Sequence, residues 1–198
     1  MRCASFTLAA CLALLLAACA PGEQAAAPVA GPPVPSDSLT RPPLAPEPVS
    51  LTPEAEAMKA AILREAERGA LRSLARLAGE QEGFMSNVGG RDHFEFWDLL
   101  RRTGVDPNRK LRDLFEGPPG KREIDGEIWF VWPDIAAKDV RDLIPEKLTF
   151  VERRRLRELI GEDGIDRIRA GEGYPGMRTA ISAEGRWVYF VLGQDGEE

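Results

Sequence analysis

Between Ala20 and Ser50 the chain carries nine prolines, at positions 21, 28, 32, 33, 35, 42, 43, 46 and 48, and no aromatic residue. Branched apolar side chains are few there: Val29, Val34, Leu39, Leu44 and Val49. Such a stretch cannot bury enough apolar surface to offset the entropy of ordering it. Proline favours extended backbone, so the stretch reads as a tether, roughly 30 Å long as a coil and at most about 95 Å fully extended. Pro32-Pro33-Val34-Pro35 also has the form of an SH3-type ligand, although a linker is needed here in any case. Whatever this chain folds into is therefore expected within residues 51–198. A unit of roughly 150 residues suits one core that buries about 68–70% of the unfolded surface.

The residues ahead of the tether set an address. Met1-Arg2 is a short positive start, and an apolar run follows from Phe6 to Leu16, ending in Leu16-Ala17-Ala18-Cys19. The run is too short to span a bilayer comfortably and has the form of the apolar region of a secretory signal. Leu16-Ala17-Ala18-Cys19 resembles the lipobox of bacterial lipoproteins, and the resemblance covers residues 1–19. It implies cleavage before Cys19, thioether attachment of a diacylglyceryl group to its thiol, and three acyl chains in all. An ordinary secretory signal, cut near Ala18 or Ala20, is the plainer alternative. By the family's sorting habit, Ala20 rather than Asp after the cysteine implies the outer membrane, with the domain facing the periplasm. The expected organisation is a signal peptide over 1–18, a lipid anchor and tether over 19–50, and one domain over 51–198.

The same reading removes most thiol chemistry. Cys3, Cys11 and Cys19 are the three cysteines of the chain, so a mature protein acylated at Cys19 has neither a free thiol nor a disulfide. Its fold must rest on packing. The net charge is −6, of which Arg2, Glu23, Asp37, Arg41 and Glu47 together account for one negative unit, leaving −5 in residues 51–198. No basic footprint for nucleic acid is present. The partners within reach are the membrane, through the lipid on Cys19, and peptidoglycan or an envelope protein. No cofactor and no metal is expected.

Within the domain, helix signals come first. Thr52-Pro53-Glu54 supplies a cap, a proline at the first helical position and an acid in the first turn. Met58, Ile62 and Ala66 then share a stripe, and Leu71, Leu74 and Leu77 continue past Gly69 to Gly79, read as the residue just beyond the helix. Gly83 to Val88 reads as a short strand, and Gly89-Gly90 as a turn. Asp92-His93-Phe94-Glu95 reads as a capping box before Phe96, Trp97 and Leu100, with Gly104 closing that helix. Asp106-Pro107 opens another, carrying Leu111, Leu114 and Phe115 inward, and Gly117-Pro118-Pro119 stops it. Thr149-Phe150-Val151-Glu152 is a further capping box, with its helix running to Gly161 and a short one following over Ile165 and Ile168 to Gly171.

Three further stretches read as strands. Ile128 to Trp132 is apolar at every position, which suits a central strand covered on both faces, or one covered on one side and exposing a binding surface on the other. Met177 to Ala183 and Arg186 to Leu192, joined by Glu184-Gly185, form a hairpin pattern. Strict alternation puts Trp187, Tyr189 and Val191 on one face and Val188, Phe190 and Leu192 on the other. The expected class is α+β, with several short helices packed on a small, mainly antiparallel sheet that includes the C-terminal hairpin. The helix pair leading to Val88 and the final hairpin are similar to the cone-shaped nuclear transport factor 2-like folds, which implies a carrier of small apolar ligands.

Candidate chemistry is sparse. Gly117-Pro118-Pro119-Gly120-Lys121-Arg122 lacks the glycine spacing and the Ser/Thr of a phosphate loop, and reads as a rigid turn. His93 is the one histidine and has neither a thiol partner nor a Gly-x-Ser-x-Gly elbow to serve, so it reads as a capping or surface residue, and no catalytic residue is assigned. Asp92, Glu95 and Asp98 share a helix face, as do Glu162 and Asp166. Such carboxylates would serve a hydrolase of cell-wall glycan, or simply solvate a helix. The aromatic residues in and beside the strands, Trp129, Trp132, Tyr174, Trp187 and Tyr189, with Arg178 and Arg186, are the binding candidates, set against the default that each tryptophan is core. The sequence thus favours a lipid-anchored binding or scaffold domain over the hydrolase and over the apolar-ligand carrier.

Overall fold

In a computed structural model, described over residues 48–87 and 92–193, the first helix starts where its cap demands. Thr52 Oγ1 accepts from Ala55 N at 3.2 Å and donates to Ala183 O at 2.6 Å, which fastens the start of α1 (Pro53–Glu67) to the C-terminal hairpin. Helix α2 (Leu71–Gly79) follows after Gly69. Gly79 is the last residue inside α2 rather than the residue beyond it, because Glu80 forms the cap. Helix α3 (His93–Arg102) is capped by Asp92, whose Oδ1 accepts from Phe94 N at 2.8 Å, and α4 (Pro107–Glu116) by Asp106. The long α5 (Phe150–Arg169) begins with the complete Thr149/Glu152 capping box. It is broken at Gly161, whose φ of 68° no helix contains, so its two halves are the two helices expected from the sequence.

The sheet has four antiparallel strands in chain order: β1 (Gly120–Ile124), β2 (Glu127–Trp132), β3 (Met177–Ser182) and β4 (Trp187–Leu192). The α+β class and the C-terminal hairpin are as the sequence predicts. Strand β1 is an addition. Lys121 and Arg122 were expected in a rigid turn, yet they pair with Phe130 and Trp129. Asp125 (φ 52°) and Gly126 (φ 83°) form the two-residue turn between β1 and β2. The apolar piece from Gly83 is not a strand of the sheet. Of its described residues, only Met85 bridges, in parallel, to Tyr189, through Met85 N to Val188 O and Phe190 N to Met85 O. Val88, Gly89 and Gly90, like the signal, the lipobox and the tether as far as residue 47, lie outside the described residues.

Both faces of the sheet are covered, which explains the unbroken apolar run of β2. Phe130 and Trp132 join Ile181, Trp187 and Phe190 in a core with Ile62, Leu74, Trp97 and Leu111 of α1 to α4. Val131, Ala180 and Val188 point the other way, against Ile135, Leu143, Leu156 and Ile165 of the segment running from Asp134 through α5. Strict alternation fails in β4. A β-bulge lies where Ala180 pairs with Tyr189 but Ile181 pairs with Trp187. The extra residue turns Trp187 onto the face of Phe190, while Val188 and Tyr189 take the opposite one.

Candidate functional site

At the end of the sheet where β3 begins and β4 finishes, an open cleft of about 720 Å³ separates α3 from the stretch of α5 on either side of Gly161. Phe96 and Leu100, four residues apart, give it one apolar wall from α3. Leu159 and Ile160, just before the Gly161 break, give the other, and Met177 and Leu192 form the floor from the strand ends. Three polar side chains join them: Asn87, Asp163 and Arg167. Asn87 is fixed against the edge of β4, donating from Nδ2 to Gly193 O and accepting at Oδ1 from Leu192 N, both at 2.8 Å. Arg167 is ion-paired with Glu172 at 2.5 Å. Leu159 is 42% exposed, a large apolar side chain kept in water by the free protein.

The sequence-predicted binding residues divide. Trp132 and Trp187 are wholly buried in the core against α1 to α4, and Tyr174 is buried on the other face, so none of the three is displayed. Trp129 and Tyr189 are half-buried neighbours, ring centroids 6.1 Å apart and edge-on. Burial pushes the phenols of Tyr189 and Tyr174 up to about 12 against the pull of nearby arginines, Arg178 among them in both cases. Arg178 donates to the carbonyls of Tyr174 and Gly176, so it shapes that loop. Arg186 is clamped by both oxygens of Glu127, at 3.0 and 2.7 Å, and Glu127 also accepts from Trp129 Nε1 at 2.8 Å. The Trp129 hydrogen bond depresses the Glu127 carboxyl most; burial opposes it and Arg186 adds to the depression.

The acidic residues are engaged structurally. Asp92, Glu95 and Asp98 do line one hollow along α3, of about 520 Å³. Asp98 is held by Arg101 at 2.7 Å and Arg102 at 2.5 Å. Burial raises its carboxyl, but those two guanidinium groups outweigh it and leave Asp98 below the ordinary range, the opposite of what a general acid needs. Glu162 pairs with Arg157, and Asp166 with Arg169. His93 faces Ser86 Oγ at 3.1 Å and the Phe84 ring, and burial lowers its pKa although Asp92 raises it. Among the described residues, no group of three or more His, Cys, Asp or Glu is placed to hold a metal ion, and no helix is long and apolar enough to cross a membrane.

Sequence reasoning missed the cleft because Phe96, Leu100, Leu159 and Ile160 each carry the periodicity of core residues. The sequence held no signal for it: Leu156, Leu159 and Ile160 fall at the i, i+3, i+4 spacing of one packed stripe. Compared with known protein families, curated proteins and solved structures, the chain matches none.

Proposed function

We propose that this chain is a bacterial envelope lipoprotein, held by acyl chains on Cys19 to the periplasmic side of the outer membrane, whose domain binds a partner protein as an assembly, scaffold or maintenance factor. The cleft between α3 and α5 carries the reading. Phe96 and Leu100 face Leu159 and Ile160 across it, Asn87, Asp163 and Arg167 supply polar groups beside them, and it is open to solvent, which suits an amphipathic segment of another chain laid between two helices. A hydrolase of glycan would use a pair of carboxylates flanking the substrate, whereas among the described residues Asp163 is the one carboxylate lining this cleft. The space behind the C-terminal hairpin, where an enclosed carrier pocket would lie, is filled by Trp187, Phe190 and Trp97.

The test is a photoreactive amino acid placed at Leu159 in the intact, membrane-borne protein, with Arg76 on α2 as the control position. Irradiation in intact envelopes is expected to give one dominant protein adduct from position 159 and none from 76, and Leu100→Glu is expected to abolish it. Adducts to sugar or lipid alone, or equal adducts from both positions, would overturn the reading.

A further inference from the structure

We infer that the exposed face of the first half of α5 is a docking surface for an anionic lipid bilayer. Phe150 and Val151 open the helix and are 73% and 64% exposed, the two most exposed large apolar side chains among the described residues. Their surroundings are basic. From Glu146 to Glu158 the chain carries Lys147, Arg153, Arg154, Arg155 and Arg157 against Glu146, Glu152 and Glu158, a net +2 within a chain of net charge −6, with Lys147 paired to Asp142 at 3.7 Å.

Helical geometry sorts these residues. Leu156 points inward and is fully buried. Arg155 reaches back to Asp134 at 2.6 Å, and Glu152 turns to Lys138 at 3.0 Å and to the Thr149 cap. At 100° per residue, the outward arc holds Phe150, Val151, Arg153, Arg154 and Arg157, with Arg154 one turn beyond Phe150. Glu158 shares the arc, paired with Arg154 at 3.6 Å, and Arg157 pairs with Glu162. Arg153 has no ion-pair partner among the described residues. α5 is not amphipathic along its length, so the contact is confined to its first turn, where an aromatic and a branched aliphatic side chain stand beside guanidinium groups and reach the boundary between headgroups and acyl chains. The arginines match anionic headgroups and the apolar pair enters below them.

This inference rests in part on the anchored reading, since the tether then holds the domain near a bilayer. It adds a second point of attachment, which would fix how the cleft is presented.

The experiment uses the full, acylated chain carrying Val151→Cys, with Phe150→Cys as a second probe. Residues 20–198 contain no cysteine, so an acylated chain takes a spin label at one position only. The protein is reconstituted into vesicles of phosphatidylcholine, with or without phosphatidylglycerol. Accessibility to oxygen relative to a water-soluble nickel complex is expected to rise at least threefold at position 151 in anionic vesicles, compared with Arg76→Cys. Arg153→Glu with Arg154→Glu is expected to erase the rise. The same accessibility at 151 and 76 would overturn the docking, as would protection that appears only when other envelope proteins are added. The mass of the Cys19 peptide from the same sample tests the anchor separately. If Cys19 is unmodified, the anchored reading fails alone, and docking is read from the label at 151 with Cys19→Ser and added vesicles.

Discussion

The Trp187 indole N–H donates to Thr179 Oγ1 at 2.9 Å, and both residues are fully buried. Thr179 in turn donates to Tyr189 O at 2.7 Å. The bulge in β4 turns Trp187 into the core, and this short chain of hydrogen bonds gives its one polar atom a partner there. Thr179→Val keeps the shape and strands the indole N–H, at a cost of about 1–3 kcal/mol. Chemical denaturation should show that loss with an unchanged dependence on denaturant. A loss below about 0.5 kcal/mol would mean the N–H finds another acceptor.

Trp132 offers the contrast. Its ring is equally buried, but its Nε1 has no hydrogen-bond partner among the described residues. Trp132→Phe removes an unsatisfied donor along with some volume, so the two effects oppose each other. Trp187→Phe removes volume and a made hydrogen bond, so both effects destabilise. Thermal unfolding should therefore rank Trp187→Phe as the more damaging substitution; the reverse order would contradict the packing of both rings.

The Glu127 cluster sets an acid limit. Its carboxyl is held below the ordinary 4.5 by the Trp129 N–H first, with burial opposing and Arg186 assisting. A depressed carboxyl contributes stability that is present above its unfolded value and is lost as pH falls through the folded one. Stability should therefore fall as pH drops below about 4.5, and Glu127→Gln should flatten part of that fall. Titrating unfolding free energy between neutral and acidic pH for both proteins checks it, and parallel curves would remove Glu127 from the account.

His93 behaves in the same direction for a different reason. Burial beside Phe84 and Trp97 lowers its pKa from 6.5, although Asp92 counters. A histidine disfavoured as a cation stabilises the fold above its unfolded pKa and stops doing so as pH falls through the lowered one. Its imidazole resonances, the only ones in the chain, should titrate below 6.5 in the folded protein. A midpoint above that value would mean Asp92 outweighs burial.

Much of this architecture was legible because caps and stops are local chemistry. Thr52-Pro53, Asp106-Pro107 and the Thr149/Glu152 box each act within one turn, and each starts a helix where expected. Strand β1 was not legible from Gly120-Lys-Arg-Glu-Ile124 by hydropathy, since an edge strand with charged outward residues has little apolar content. The Asp125-Gly126 pair was its signal. The face of Trp187 was misjudged because a bulge is set by pairing across strands, which alternation along one strand cannot register. The cleft was hidden for a related reason: periodicity shows that Leu159 and Phe96 sit on apolar stripes, but whether two stripes meet or stand apart depends on the elements between them.

Gly161 decides how those stripes stand. At φ 68° it breaks α5 after Leu159 and Ile160, and lets Ile165 and Ile168 of the second half pack on the sheet while Leu156 of the first half does so from another direction. A Cβ at Gly161 would meet no atom within 4 Å, so any penalty for alanine there comes from the backbone alone. With ψ −174° beside φ 68°, Gly161 lies outside the left-handed region that asparagine tolerates, in one that glycine alone adopts readily. Gly161→Ala and Gly161→Asn should therefore both cost about 1–3 kcal/mol, seen by denaturant unfolding. If alanine costs nothing, α5 runs straight in solution, Leu159 and Ile160 turn away from Phe96 and Leu100, and the adduct from position 159 should vanish with them.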